Sequence, residues 1–167
     1  LVILIEENFL DKNLCEEIVK FTIANKSNMV KFRDILELDF SNVEPSLYEK
    51  LCIKYLSFLA QRNIIVFPEC VRLVLWSKGS KQNLHFDNAR DTTALTSITY
   101  LNDNFVGGKT FFENEVVVKP ETGKTIFFNG CKYKHGVSQV TSGFRYVLAI
   151  WYSNDLNELH LKDKGFS

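Results

Sequence analysis

A two-sheet jelly roll (a double-stranded β-helix, mainly β) with flanking helices outside it is the fold this sequence predicts, on three observations. Stretches with helical apolar spacing are confined to the first 62 residues. From residue 63 to 152, roughly eight short apolar runs alternate with Gly, Asn and Pro turn signals, the rhythm of packed antiparallel sheets. With 46% hydrophobic residues and 14 Phe in a chain of 167, there is enough apolar mass to enclose one sizeable core.

The elements follow in order. Leu1 to Ile5 is a short apolar run that predicts a strand buried on both faces. Asn13 with Glu16 three positions on forms a helix-capping pair. Leu14, Ile18, Phe21 and Ala24 then recur at helical spacing, predicting a first helix that ends near Ala24. Residues 25 to 43 lack a clear period and predict a loop with short strands, either a lid over a site or a surface excursion. Ser46 with Glu49 forms a capping box just after Pro45. Leu47, Leu51, Tyr55 and Leu59 share one stripe of a second helix, running to about Arg62 and buttressing a sheet.

Ile64 to Phe67 and Val71 to Trp76 predict two strands broken at Pro68-Glu69. The polar run Ser77 to Asn83 delivers the chain to Leu84-His85-Phe86-Asp87, predicted as an extended segment. A loop from Asn88 to Thr93 precedes the strand Leu95 to Leu101, whose Thr96, Ile98 and Tyr100 share a face. Turn signals at 102–104 and 107–108 precede short strands at Lys109 to Phe112 and Val116 to Val118, and Pro120 to Gly123 is a tight turn. Thr125 to Phe128, His135 to Gln139 and Phe144 to Tyr152 complete the strands. The organisation is therefore one domain over 1–167: a helical support region 1–62, a jelly-roll core 63–152 and a tail 153–167.

Twenty basic and twenty acidic residues cancel to a formal net charge of zero, so no nucleic-acid footprint is expected. No apolar run approaches the roughly twenty residues a membrane-spanning helix needs, and no membrane partner is expected. The cysteines, Cys15, Cys52, Cys70 and Cys131, are too dispersed for a close-spaced zinc pattern or a dense disulfide framework, and predict buried free thiols in a reducing, cytoplasmic setting. The first residue is Leu1 rather than Met, which leaves a removed signal or an upstream domain open. Oligomeric state is not predicted.

The chemistry concentrates at His85 and Asp87. On an extended strand alternate side chains share a face, so this imidazole and carboxylate point the same way while Leu84 and Phe86 point into packing. A second imidazole from a distant strand would place two nitrogens and one oxygen on one face of a metal, leaving the other positions open, as a non-haem Fe(II) oxygenase requires. His135 is the candidate. Ten positions later Arg145 sits inside the apolar run Phe144 to Tyr152, where a guanidinium is costly unless an anion meets it. In that run Arg145, Val147, Ala149 and Trp151 share one face, a pocket wall with room for a ligand. The larger Phe144, Tyr146, Leu148, Ile150 and Tyr152 share the packing face.

Residues from about Val71 to Tyr152 resemble the catalytic core of the Fe(II)- and 2-oxoglutarate-dependent prolyl hydroxylase family, a cupin-like jelly roll. The matching pieces are His85-Phe86-Asp87-Asn88-Ala89-Arg90, Ile98-Thr99-Tyr100-Leu101-Asn102-Asp103, Gly107-Gly108-Lys109, Lys119-Pro120-Glu121-Thr122-Gly123, His135-Gly136-Val137, and Arg145-Tyr146 through Trp151-Tyr152. The Tyr-Leu-Asn-Asp, Gly-Gly and His-Gly-Val segments are also similar to the collagen prolyl 3-hydroxylase branch. Arg145 stands where collagen prolyl 4-hydroxylases usually carry lysine, which blurs the subfamily and not the chemistry.

The resemblance implies His85, Asp87 and His135 as ligands of Fe(II). It implies Arg145 as the anchor of the distal 2-oxoglutarate carboxylate, with Tyr100 adding a hydroxyl donor and Thr125 a weaker one. It also implies dioxygen as co-reactant, ascorbate as reductant, and release of succinate and carbon dioxide. Asp87 favours hydroxylation, since related halogenases lack that carboxylate. Arg90 matches a peptide-contacting arginine of some relatives, against the commoner state of a solvent-facing loop arginine. Trp76 stands where relatives often carry tyrosine, lining the pocket or filling core, and Trp151 is placed nearer the metal. His160, in a charged tail, reads as solvated.

The expected activity is hydroxylation of peptidyl proline in a proline-containing chain. The same chemistry on a free amino acid, a metabolite or another protein side chain is the alternative, and a jelly roll that holds metal without turnover is the third.

Overall fold

The computed structural model describes residues 3–40, 44–87 and 92–155. Among them the strands form two antiparallel sheets, as the jelly roll requires. The larger has seven strands in the order β1-β9-β6-β11-β4-β3-β2, and the smaller has four in the order β5-β10-β7-β8. The strands are β1 (Ile3–Glu6), β2 (Val30–Phe32), β3 (Ile35–Asp39), β4 (Phe67–Trp76), β5 (Gln82–His85), β6 (Thr93–Tyr100), β7 (Thr110–Phe112), β8 (Val117–Val118), β9 (Thr125–Phe128), β10 (His135–Val137) and β11 (Arg145–Ser153). Two helices, α1 (Lys12–Ala24) and α2 (Pro45–Ala60), precede the core strands, with a short 3-10 turn at Lys26–Asn28. No described helix is long and apolar enough to cross a membrane.

The period-two pleat of the large sheet sorts its side chains between two cores. On one side Cys15 and Ile18 of α1 and Tyr48, Leu51, Cys52, Tyr55 and Leu59 of α2 meet Leu73, Phe127, Leu148, Ile150 and Tyr152. Each fully buried large side chain here contributes roughly 1.5–3 kcal/mol of transfer free energy. Phe9, Tyr55, Phe58 and Phe127 form an aromatic knot, with Phe9 centroids 4.8, 5.0 and 5.6 Å from the other three. On the other side Val74, Trp76, Tyr100, Ile126, Phe128, Val147 and Ala149 face Phe112, Val118 and Val137 of the small sheet.

Several local expectations are corrected by the structure. The cap of α1 is Asp11, whose side chain accepts from the Leu14 amide, so Asn13 lies inside the helix it was expected to start. Glu44 is the N-cap of α2 and Pro45 takes the first helical position, which its fixed φ and missing N–H suit. Ser46 bonds back to the Glu44 carboxylate instead of forming a box with Glu49. Pro68 and Glu69 do not break β4. The β3 partners of β4 end at Arg72, and a bulge against β11 skips Glu69, so the absent N–H of Pro68 costs no ladder bond to β3.

Leu84 and Phe86 do not pack inward: they are 44% and 40% exposed. Both helices cover the large sheet, and β5 is an edge strand of the small one, leaving nothing to bury Leu84. Phe144 likewise is exposed, because β11 begins only at Arg145. Gln139 falls beyond β10, which ends at Val137.

Candidate metal and anion site

His85 ends β5 and His135 begins β10, and the two are direct register partners across that antiparallel pair. Partners across a ladder project on the same face, so their rings meet at a centroid separation of 4.5 Å despite fifty residues of intervening chain. Asp87 lies just past the end of β5, where its amide donates to the Gly130 carbonyl at 2.9 Å. Its Oδ1 is 3.3 Å from His135 Nε2 and 3.8 Å from His85 Nε2. The three residues present ligand atoms that all lie within 4.8 Å of one another.

The other atoms of these side chains fix their orientation. His85 Nδ1 is 2.8 Å from the Asn83 carbonyl and His135 Nδ1 is 3.1 Å from the Tyr133 carbonyl. A carbonyl can only accept, so each Nδ1 carries a proton, and it is Nε2 of each ring that faces Asp87 Oδ1. The second Asp87 oxygen, Oδ2, accepts from the Thr96 hydroxyl at 2.7 Å, leaving Oδ1 directed at the imidazoles. Burial and the neighbouring His135 hold His85 below the ordinary imidazole value, against the opposing pull of Asn83 and Asp87. Burial pushes the Asp87 carboxyl up, but His135, Thr96 and His85 together outweigh it and hold the group below the usual carboxylate range. Two imidazole nitrogens and one carboxylate oxygen on one side of a common point fit a divalent iron with open positions opposite.

Gly130 was legible only as part of a turn. A Cβ there would lie 1.9 Å from Asp87 Oδ2, so the carboxylate occupies space that only a glycine leaves.

The inner face of β11 carries Arg145, Val147, Ala149 and Trp151 into a cavity of about 590 Å3, which His85, Asp87 and His135 also line. Arg145 is 1% exposed. Its Nε donates to the Gly108 carbonyl at 2.9 Å and one terminal nitrogen donates to Thr110 Oγ1 at 3.3 Å. The other, Nη1, is buried without a hydrogen-bond partner among the described residues. The guanidinium carbon lies 4.9 Å from the Trp76 ring centroid and 5.4 Å from that of Tyr100. Burial lowers the guanidinium pKa against the favourable effect of Tyr100. A buried cation with an idle donor is expensive to maintain, and it suits an incoming carboxylate, which a planar fork can bind.

Trp76 both lines the cavity and packs in the inner core, and its indole nitrogen also lacks a partner. Trp151 is the register partner of Thr96, which places it at the metal end of the wall. Tyr100 bonds Thr110 Oγ1 at 2.6 Å, beside the arginine. Thr125, by contrast, is not near Arg145. It sits on the helix-facing side of the sheet, bonded to Thr99 Oγ1 at 2.7 Å, because the pleat sends it to the same side as Phe127. The hydroxyl beside the guanidinium is that of Thr110, which the sequence did not single out. Its only local signal was membership of a short strand next to Gly107-Gly108. Arg90 and His160 lie outside the described residues.

A model of the 2OG-Fe(II) oxygenase superfamily matches residues 70–153. Human prolyl 3-hydroxylase 2 is 37% identical over 73 residues, covering 40% of this chain and 10% of that protein. Rat prolyl 3-hydroxylase 1 is 34% identical over 100 residues, covering 47% and 14%. The chain thus spans about a tenth of the length of the first of these relatives. Among solved structures, the viral collagen prolyl hydroxylase of Paramecium Bursaria Chlorella virus-1, in complex with 2OG, superposes with a TM-score of 0.77 at 20% identity, covering 92% of this chain and 96% of that one. A Trichoplax adhaerens prolyl hydroxylase, bound to a hypoxia inducible factor peptide fragment, does so with a TM-score of 0.73 at 20% identity, covering 95% and 86%. At such identity these likenesses establish the fold.

Proposed function

The chain belongs to the 2OG-Fe(II) oxygenase superfamily, and from that premise we propose that it hydroxylates proline in a peptide chain, with His85, Asp87 and His135 holding Fe(II). The observation that supports this reading is the coincidence, in one cavity, of a three-donor cluster and a buried arginine with an idle donor. A jelly roll that merely held a metal would need the first and not the second. The prolyl 3-hydroxylases matched by sequence point to the target.

In this reading the metal supplies the activation of dioxygen that the C–H bond requires, and the protein supplies ligands, orientation and exclusion of water. Arg145 and Thr110 hold the distal carboxylate of 2-oxoglutarate, with the Tyr100 hydroxyl fixing Thr110. Val147 and Ala149 are small enough to leave the diacid a channel from Arg145 toward the donor cluster. Thr96 keeps one Asp87 oxygen occupied, so the carboxylate offers the other to the metal. The Asn83 and Tyr133 carbonyls fix both imidazole tautomers in the ligating form. Trp151 walls the substrate side, and ascorbate maintains the metal in its reduced state.

The test is turnover of 2-oxoglutarate with Fe(II) and ascorbate against a panel of proline-containing peptides. Succinate released in step with a one-oxygen mass gain on proline is the expected result. Turnover indifferent to every peptide, with oxygen gained instead by a free amino acid, would overturn the peptide assignment and retain the chemistry.

A further inference from the structure

The cavity wall that carries Arg145 also carries a second guanidinium. Register places Arg145 opposite Trp76 and Ala149 opposite Arg72, so the backbone positions of the two arginines differ by four residues along the ladder, about 13 Å at the rise of a strand. A five-carbon diacid, with C–C bonds of about 1.5 Å each, spans at most about 6 Å. A diacid anchored on Arg145 is therefore used up before the level of Arg72, which addresses something else.

Arg72 is held in place from two sides. Its Nη1 donates to Glu37 Oε2 at 2.7 Å and its Nε meets Cys70 Sγ at 3.1 Å. Burial lowers its pKa, but Cys70 and Glu37 outweigh that and keep the charge secured. Glu37, Arg72, Cys70 and Trp151 all line the cavity, and Cys70 is the register partner of Trp151. An ion pair whose arginine is 39% exposed contributes little to stability. Of the five guanidinium donors, two are engaged among the described residues, beside the second oxygen of Glu37. The pair is electrically neutral, so an incoming anion gains little from Arg72 that Glu37 does not oppose. A neutral group that accepts at one atom and donates at the next matches both partners at once.

We propose that Arg72 and Glu37 form a peptide-reading subsite at the outer end of the cavity, the arginine donating to a substrate backbone carbonyl and the glutamate accepting a backbone N–H near the target proline. This rests on the reading that the substrate is a peptide, and it adds a rule. Because proline has no N–H, a neighbouring residue must supply it, and that residue cannot itself be proline.

The experiment measures the Kd of fluorescein-labelled proline-containing peptides, by anisotropy, on the full chain loaded with Mn(II) and 2-oxoglutarate. Arg72→Met is expected to weaken binding of these peptides by about tenfold or more, the loss of a hydrogen bond to a charged group. It should leave 2-oxoglutarate affinity within about twofold. N-methylation at one position flanking the proline should weaken wild type by about tenfold and have no further effect on Glu37→Met. Arg72→Lys, which keeps the charge opposite Glu37 without the fork, should also bind weakly, and it serves if Arg72→Met does not fold. Equal peptide Kd in wild type and both arginine variants would overturn the subsite. So would loss of peptide and 2-oxoglutarate binding in parallel with a lowered Tm, since the pair would then only brace β3 against β4. Wild type that binds these peptides but adds no oxygen to proline would sink the reaction proposed above and leave the subsite standing. Wild type that binds none would sink both.

Discussion

The two faces of the seven-stranded sheet are built from alternate residues of the same strands, yet they treat charged groups differently. On the helix side, Tyr55 bonds Thr99, Thr99 bonds Thr125 at 2.7 Å, and Ser97 meets the Tyr152 hydroxyl at 2.9 Å. Burial pushes the Tyr55 and Tyr152 hydroxyls well above their ordinary range, so both act only as hydrogen-bonding groups. On the inner face, the Arg145 Nη1 and the Trp76 indole nitrogen have no partner, and a cavity runs past them. Among the described residues the helix side leaves one neutral group, the Tyr48 hydroxyl, without a partner, whereas the inner face leaves a charged donor and an indole N–H beside a cavity. A ligand site is legible here as a buried charged donor left unpartnered beside a cavity, which the helix side does not have.

Removing a donor of the cluster should separate the faces most sharply. His135→Ala is expected to retain the fold and lose all but about one per cent of 2-oxoglutarate turnover, since even the outer partners of metal ligands typically matter ten- to a hundredfold. Mn(II) is expected to raise the Tm of wild type and to leave that of the variant unchanged. Turnover near the wild-type rate would remove His135 from the cluster. Truncating the other face should do the reverse. Phe127→Ala, at a position 0% exposed, is expected to cost about 3–5 kcal/mol in urea unfolding and leave the KM for 2-oxoglutarate unchanged under folding conditions.

Arg145→Leu makes the comparison quantitative. It removes a buried guanidinium with an idle donor, so the ligand-free chain should unfold at the same urea concentration as wild type or higher. The KM for 2-oxoglutarate should rise by about ten- to a hundredfold. Clear destabilisation with unchanged KM would make the arginine a structural brace. The smallest effect belongs to Tyr55→Phe, expected to cost about 1 kcal/mol through the lost bond to Thr99, with no change in either Michaelis constant. An effect on 2-oxoglutarate binding would mean that the two faces are coupled through β6.

Much of this was legible along the chain because it depends on near neighbours. The jelly roll follows from short alternating runs and turn residues, and the inner set Arg145, Val147, Ala149 and Trp151 follows from the pleat alone. The same rule misplaced Leu84 and Phe86: burial depends on whether another layer lies above, and both helices had gone to the opposite sheet. Thr125 was put beside Arg145 by the family resemblance, and a short strand flanked by turns does not disclose which of its faces looks inward.

The residue types of the chemistry were therefore determined by the sequence: two imidazoles, a carboxylate and an arginine in an apolar strand. Tertiary structure alone decided their company. That His135 faces His85 across a ladder, that Gly130 yields its side-chain space to Asp87, that Thr110 flanks Arg145 and that Glu37 meets Arg72 all depend on register between segments up to fifty residues apart. Periodicity is a property of one strand, whereas register is chosen by the packing of every strand beside it.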